Sequence, residues 1–155
     1  RQIEAAVYWA DRQNIRMVIV GGKDSWRVTQ VLKERDIPVI YTQTHSTPMH
    51  RFEQYDQAFV TPSKLYDAGV RFCISNSESS FQTPHIRNLP YYAAKAASYG
   101  LPWDEALRSL TLSSAEILGV ADKVGSLEPG KDATLFIANG DILDIRLMLS
   151  IFSSV

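Results

Sequence analysis

The chain has 155 residues, of which 45% are hydrophobic and 21% are charged, a composition typical of a globular protein with one hydrophobic core. Its 16 Lys and Arg residues nearly balance 17 Asp and Glu residues, so the formal net charge is -1. This balance excludes a global electrostatic field that would recruit nucleic acid or an anionic membrane. We therefore expect a small-molecule partner, with no nucleic acid and no membrane involved.

Cysteine content and the amino terminus bear on where the protein works. The single cysteine, Cys73, lies inside an apolar run, which excludes an intramolecular disulfide and favours a cytoplasmic location. The first residues, "RQIEAAVYWADRQN", contain no apolar signal-peptide core and no initiator Met. We expect the chain to be a piece cut from a longer protein.

The first half of the chain alternates between helix and strand patterns. Residues 2–13 have the apolar spacing of an amphipathic helix, and Met17–Val20 form an apolar run that a parallel sheet would bury on both faces. The pattern then predicts a helix over 23–36, a strand within 37–43, a helix starting at Pro62 and Ser63, and a strand over 70–74.

Alternation of this kind predicts a parallel sheet with crossover helices. In such sheets, ligands bind beyond the carboxyl ends of the strands. The segments "GGKDS" (21–25), "TQTHSTPMH" (42–50) and "SNSESS" (75–80) would therefore meet on one rim. A functional site is expected there.

The second half of the chain has a different pattern. Residues 88–100 and 102–119 each read as one helix closed by a glycine. A turn at Glu128-Pro129-Gly130 and an alternating strand over 133–138 follow, which is typical of antiparallel β-structure.

The run "GLPWDEALRSLTLSSAEILGVADKVGSLEPGKDATLFIANGDILD", residues 100–144, resembles the carboxyl-terminal segment of the metal-dependent amidohydrolase superfamily, particularly its imidazolonepropionase-like branch. The resemblance implies an α/β fold: about three βα units from the end of a (β/α)8 TIM-like barrel, an αα cap, and the start of a small β-sandwich. Residues 1–120 would be the partial barrel and residues 121–155 the sandwich segment. A whole barrel takes about 250 residues.

The resemblance also implies a chemistry, hydrolysis of C–N bonds in amides or cyclic amides by a metal-activated water. The family's His-x-His pair after the first strand is absent here. We therefore expect no metal in this fragment, which would be inactive alone, and a divalent metal (Zn, Fe or Mn) in the full-length parent. The last strand of the family ends like "ISTD", whereas here Ile74 and Ser75 lead to Asn76 and Ser77.

Ser77 therefore occupies the position of the family's catalytic Asp, where a hydroxyl cannot replace a carboxylate as general base without an activating partner. Glu78 would supply an acid if its side chain turned inward. The alternative is a plain turn in which Ser77, Ser79 and Ser80 satisfy backbone groups.

Three further residues on the rim, His45, His50 and Asn76, are candidates for substrate contact. With His85, the two histidines would give three imidazoles for Zn, but their spacing matches no tight ligand motif. "VGGKDSW" could cradle a phosphate, although it has neither the dinucleotide nor the P-loop glycine spacing.

The leading hypothesis is a fragment of an amidohydrolase-type hydrolase. Two alternatives stay open: a non-catalytic scaffold or ligand-binding protein that has lost its metal ligands, and a flavodoxin-like binding module using "GGKDS". Three parallel strands would leave unpaired edges, so we expect self-association or pairing with the missing barrel half.

Overall fold

A computed structural model of the chain describes residues 2–48, 50–77, 81 and 83–144. The strands are β1 (Ile19–Gly21), β2 (Val39–Tyr41) and β3 (Phe72–Ile74). The helices are α1 (Gln2–Gln13), α2 (Thr29–Glu34), α3 (Gln57–Asp67), α4 (Leu89–Ser98), α5 (Trp103–Leu110) and α6 (Leu112–Leu118). None of the helices in these ranges is long and apolar enough to cross a lipid bilayer.

The strands form one parallel sheet in the order β1-β2-β3. Val39 of β2 lies opposite Ile19 on one side and Phe72 on the other, and Tyr41 lies opposite Gly21 and Ile74. Helix α2 connects β1 to β2, and α3 connects β2 to β3. The predicted α/β fold with a parallel sheet is confirmed.

The two faces of the sheet differ in how they are covered. One face carries Val39, Tyr41, Phe72 and Ile74, all buried in a single core with residues of α2, α3, α4 and α5. On the other face Val20 is 51% exposed, whereas the register-matched Cys73 is 4% exposed and hydrogen-bonded to Ser114 of α6. The expectation that the first strand is buried on both faces is therefore wrong, because helices cover only one face of β1.

Helix α3 begins earlier than its sequence predicts. A proline at the first turn is a common helix start, but the helix begins at Gln57 and Pro62 lies inside it, buried. Pro62 has no N–H to donate to the carbonyl of Ala58 one turn earlier. The Tyr41 hydroxyl donates to that carbonyl instead, at 2.9 Å. A bond from the sheet thus replaces the one that proline removes.

The segment predicted as one helix over 102–119 is two helices. The chain breaks at Thr111, whose φ of −120° and ψ of −95° are outside the helical region. The predicted stop at Gly119 is confirmed, because this residue has a left-handed φ of 73°. Helices α4, α5 and α6 all contact β3, so they complete the core beside the sheet instead of standing apart from it as a cap.

The predicted strand at 133–138 does not form in the described part of the chain. The turn before it is confirmed, since the Lys131 N–H donates to the Glu128 carbonyl at 3.2 Å. Leu135, Phe136 and Ile137 are then all at least half exposed, and no described strand pairs with them. An alternating pattern specifies which side chains a strand would bury, but the strand needs a neighbour to pair with.

Candidate functional site

The loops that follow the strands meet at one edge of the sheet, as the parallel topology predicts. A cavity of about 230 Å³ opens between the ends of β2 and β3. Its lining comes from the loop after β2, the loop after β3 and helix α4: Thr42, Gln43, His45, Ser46, Asn76, Ser77 and Tyr92. We call it the strand-end cavity. Three of the predicted site residues, His45, Asn76 and Ser77, lie on its wall.

Hydrogen bonds fix the chain as it leaves β3. The Ser75 N–H donates to the Tyr41 carbonyl at 2.9 Å, which extends the pairing of β2 with β3 by one residue. The Ser77 N–H then donates to the Asn76 side-chain oxygen at 3.0 Å. This local bond turns the chain at the strand end and leaves both residues half-buried on the cavity wall.

His45 is held on the cavity wall by aromatic neighbours. Its ring centroid lies 4.6 Å from that of Tyr92 and 6.3 Å from that of Phe59. Burial lowers the pKa of the His45 imidazole, and the nearby Lys95 ammonium lowers it further. A neutral imidazole offers one donor nitrogen and one acceptor nitrogen to a bound molecule.

The two other predicted histidines, His50 and His85, are not brought into this cavity. His50 is exposed and stacks on Phe52, with ring centroids 5.1 Å apart, and His85 is exposed in the short helical turn Thr83–Asn88. Glu78, Ser79 and Ser80 lie outside the described residues, so the inward-turned Glu78 stays a prediction.

The "GGKDS" loop has a structural role. Gly22 has a left-handed φ of 60°, and a Cβ there would lie 2.7 Å from Val39 Cγ1, so no other residue fits without a shift in the core. Lys23 Nζ donates to the Thr47 carbonyl at 2.6 Å, which ties the loop after β1 to the loop after β2. The lysine that could have met a phosphate instead bonds to the protein backbone.

The strand-end cavity does not fit a divalent metal. Its lining includes a single imidazole, and its other polar groups are neutral hydroxyls and amides without a carboxylate. Across the described ranges, no three His, Cys, Asp or Glu side chains come close enough together to hold a metal ion. What the cavity offers is hydrogen bonding to a small polar molecule.

Sequence reasoning did not single out Tyr92 or the three loop residues Thr42, Gln43 and Ser46. The segment "NLPYYAA" reads as a helix start, and only the packing of α4 brings Tyr92 beside His45. The three loop residues were detectable, because they belong to the segment 42–50 that was expected on the rim.

Comparisons with known proteins agree with the resemblance carried by residues 100–144. A family model described as the amidohydrolase family matches residues 60–155. An imidazolonepropionase of Geobacillus kaustophilus is 36% identical over 77 residues, which are 49% of this chain and 18% of that protein. The amidohydrolase tasK of Hapsidospora irregularis is 32% identical over 88 residues, 55% of this chain and 9% of that protein.

Solved structures give the same result for the fold. A crystal structure of an amidohydrolase from Thermotoga maritima matches with a TM-score of 0.81 and 30% identity, covering 94% of this chain and 37% of that one. An Xaa-Pro dipeptidase matches with a TM-score of 0.61 at 19% identity, covering 88% of this chain and 38% of that one, which bears on the fold alone. This chain thus spans well under half the length of each of these proteins, and it belongs to the amidohydrolase family.

Proposed function

We propose that this chain is part of a longer hydrolase that cleaves C–N bonds of small amides or cyclic amides, and that the chain alone does not catalyse the reaction. Family membership supports the reaction class. The match to the amidohydrolase from Thermotoga maritima supports a longer parent protein, because nearly all of this chain aligns with only 37% of that one. The parallel sheet, covered by helices on one face and open at Val20 on the other, suits three consecutive units of a (β/α)8 barrel.

The observation that carries the proposal is the strand-end cavity itself. It lies beyond the carboxyl ends of two adjacent parallel strands, where barrel enzymes place their active sites. Its hydroxyl and amide groups, with His45, can donate hydrogen bonds to the carbonyl of an amide substrate and accept them from its N–H group. In this proposal Asn76, Ser77 and His45 orient the substrate.

Among the described residues that line the cavity, His45 is the candidate general base. Ser77, at the family's Asp position, cannot serve as a base without such a partner. Glu78, one residue further on, stays the candidate acid. Because the described residues do not fit a metal, a Zn, Fe or Mn ion in the longer protein would take its ligands from elsewhere. Residues 121–155 would begin an accessory β-sandwich.

The test compares the 155-residue chain with a longer protein that contains it. Both are purified, assayed for bound Zn, Fe and Mn by mass spectrometry, and offered a panel of acyclic and cyclic amides. We expect hydrolysis by the longer protein and none by the chain. Hydrolysis by the chain alone, or none by the longer protein after Zn, Fe or Mn is supplied, would overturn the proposal.

A second candidate, a non-catalytic binding protein, is favoured by one observation: no carboxylate lines the strand-end cavity. The activity of the longer protein and of its Ser77 variants separates the two. A binding protein that lost its chemistry at several positions is inactive and stays inactive in Ser77→Asp. A hydrolase that uses Ser77 only to orient substrate keeps its activity in Ser77→Thr and loses roughly tenfold in kcat/KM in Ser77→Ala.

A further inference from the structure

A second cavity, of about 470 Å³, shares the lining residue His45 with the strand-end cavity. Its walls come from α4, from the start of α5 and from residues 141–144. The polar groups that line it include His45, Lys95, Ser98, Trp103, Asp141 and Asp144. We call it the α4 cavity. The proposed hydrolase activity does not use this cavity, so its ligand is a separate question.

Lys95 supplies the positive charge of the α4 cavity. Its ammonium lies 4.6 Å from the Phe59 ring centroid and 4.9 Å from that of Tyr99. Such contacts hold a cation in place without neutralising it. Among the described residues, Lys95 makes no ion pair with a carboxylate. An anionic group in the cavity would therefore find a positioned, unneutralised ammonium.

The negative charges of the α4 cavity come from a different segment of the chain. Asp141 is oriented by two bonds, since one oxygen accepts from the Leu143 N–H at 2.8 Å and the other accepts from Trp103 Nε1 at 2.5 Å. Asp144 lines the same cavity but already has a partner. The Asp141 oxygens, bonded in this way, still have lone pairs for another donor. A cationic N–H group in the cavity would meet them there.

A cavity lined by the Lys95 ammonium and the Asp141 carboxylate discriminates between ligand charges. A plain carboxylate would be attracted by Lys95 but repelled by Asp141, and a plain amine would be attracted by Asp141 but repelled by Lys95. A molecule that carries both charges satisfies both sets of groups. The exposed Trp103 ring adds an apolar surface for a hydrocarbon side chain.

We propose that the α4 cavity binds a small zwitterion of the amino-acid class, with its carboxylate at Lys95 and its ammonium at Asp141. The cavity volume is of the size that holds small ligands, at the lower end of about 300–1,000 Å³. The inference holds whether or not the longer protein hydrolyses amides, because it concerns binding to this chain.

Three probes that differ only in charge test the proposal on the full 155-residue chain. They are L-leucine, 4-methylpentanoate, which lacks the ammonium, and 3-methylbutylamine, which lacks the carboxylate. Binding is measured by calorimetry and by changes in the NMR signals of His45. Loss of a charge-assisted bond typically costs a factor of about 10 or more, so L-leucine should bind at least about tenfold tighter than either analogue.

Two substitutions locate the site. Lys95→Met and Asp141→Asn should each weaken L-leucine binding roughly tenfold or more. The matched control is Lys64→Met, since Lys64 also lies over an aromatic ring, that of Trp26 at 4.4 Å, but outside the α4 cavity. Circular dichroism checks the fold of each variant.

The proposal is overturned if the three probes bind equally or not at all, or if Lys64→Met weakens L-leucine binding as much as Lys95→Met. The probe comparison uses the unaltered protein, so it decides the matter even if a variant does not fold.

Discussion

His45 is the residue that links the two cavities, and its charge state reports on both. It lines the strand-end cavity with Ser77 and the α4 cavity with Lys95. The other charged or titratable side chains that line these cavities are Tyr91, Tyr92, Asp141 and Asp144. Burial and the Lys95 charge together lower the pKa of His45, so the imidazole is neutral near pH 7. A change of charge in either cavity should therefore shift the pKa of His45.

Replacing Ser77 by Asp tests whether position 77 faces His45. A carboxylate in the strand-end cavity would stabilise the imidazolium by Coulomb attraction and raise the pKa of His45. Ser77→Asn has nearly the same shape as Ser77→Asp but no charge, so it should leave the titration unchanged. The measurement is an NMR pH titration of the imidazole C–H signals. Equal midpoints in the two variants would show that residue 77 points away from His45.

Removing the Lys95 charge should raise the pKa of His45 as well. In Lys95→Met the Coulomb contribution disappears while the burial of the imidazole, the larger cause of the shift, persists. The midpoint should therefore rise but stay below the ordinary value for histidine. Lys64→Met serves as the control. If both lysine variants gave the same His45 midpoint, the ammonium would not be near the ring.

At the scale of secondary-structure elements, one hydrogen bond joins the sheet to α3 where Pro62 interrupts the hydrogen bonding of that helix. Pro62 cannot donate to the Ala58 carbonyl, and the buried Tyr41 hydroxyl takes that place at 2.9 Å. Tyr41→Phe would leave this carbonyl without that donor. We expect a loss of about 1–2 kcal/mol in the free energy of unfolding, measured by urea denaturation.

The proline itself offers the matched control for this bond. Pro62→Ala restores an N–H one turn after Ala58, so Tyr41→Phe should cost less in the Pro62→Ala background than in the wild type. A second control, Tyr8→Phe, changes an exposed tyrosine of α1 and should have little effect. Additive effects of Tyr41→Phe and Pro62→Ala would mean that the hydroxyl and the proline are not coupled.

Alkaline pH should abolish the contribution of Tyr41. Burial raises the pKa of Tyr41 to about 12, above the ordinary value of 10.0. The folded state therefore resists ionisation of this hydroxyl, and its contribution to stability is complete below pH 10 and is lost as the pH rises toward 12. Wild type should lose stability more steeply than Tyr41→Phe between about pH 10 and 12. Parallel curves would contradict the burial of an un-ionised tyrosine.

Whether a helix or strand could be predicted from the sequence depended on which interactions stabilise it. Helix α1 and the three strands were predictable because apolar periodicity reports directly on which side chains are buried. The start of α3 was not, because a tertiary bond from Tyr41 compensates for Pro62. The break at Thr111 was also not predicted, because the apolar pattern continues from α5 into α6. The two helices pack separately on β3.

For the molecule as a whole, the rim was predictable but the cavity shape was not. Parallel topology places the residues after β2 and β3 side by side, so His45, Asn76 and Ser77 could be grouped from sequence alone. The position of α4 across that rim depends on long-range packing of helical alanines in the core, including Ala93 and Ala96. Residues of α4 line both cavities, together with His45, whereas His50 lines neither of them.

The open side of the sheet makes a prediction about the chain in solution. We propose that the edge of β1, which no described strand pairs with, and the exposed face around Val18 and Val20 pair with another copy of the chain, or with the rest of a barrel when that is present.

In sedimentation velocity, the isolated chain should associate as its concentration rises. Val20→Lys should suppress this, because a lysine on an edge strand disfavours pairing. Leu127→Lys, at a loop residue that is 83% exposed, should leave association unchanged. A monomer at every concentration, or equal suppression by both lysines, would contradict the proposal.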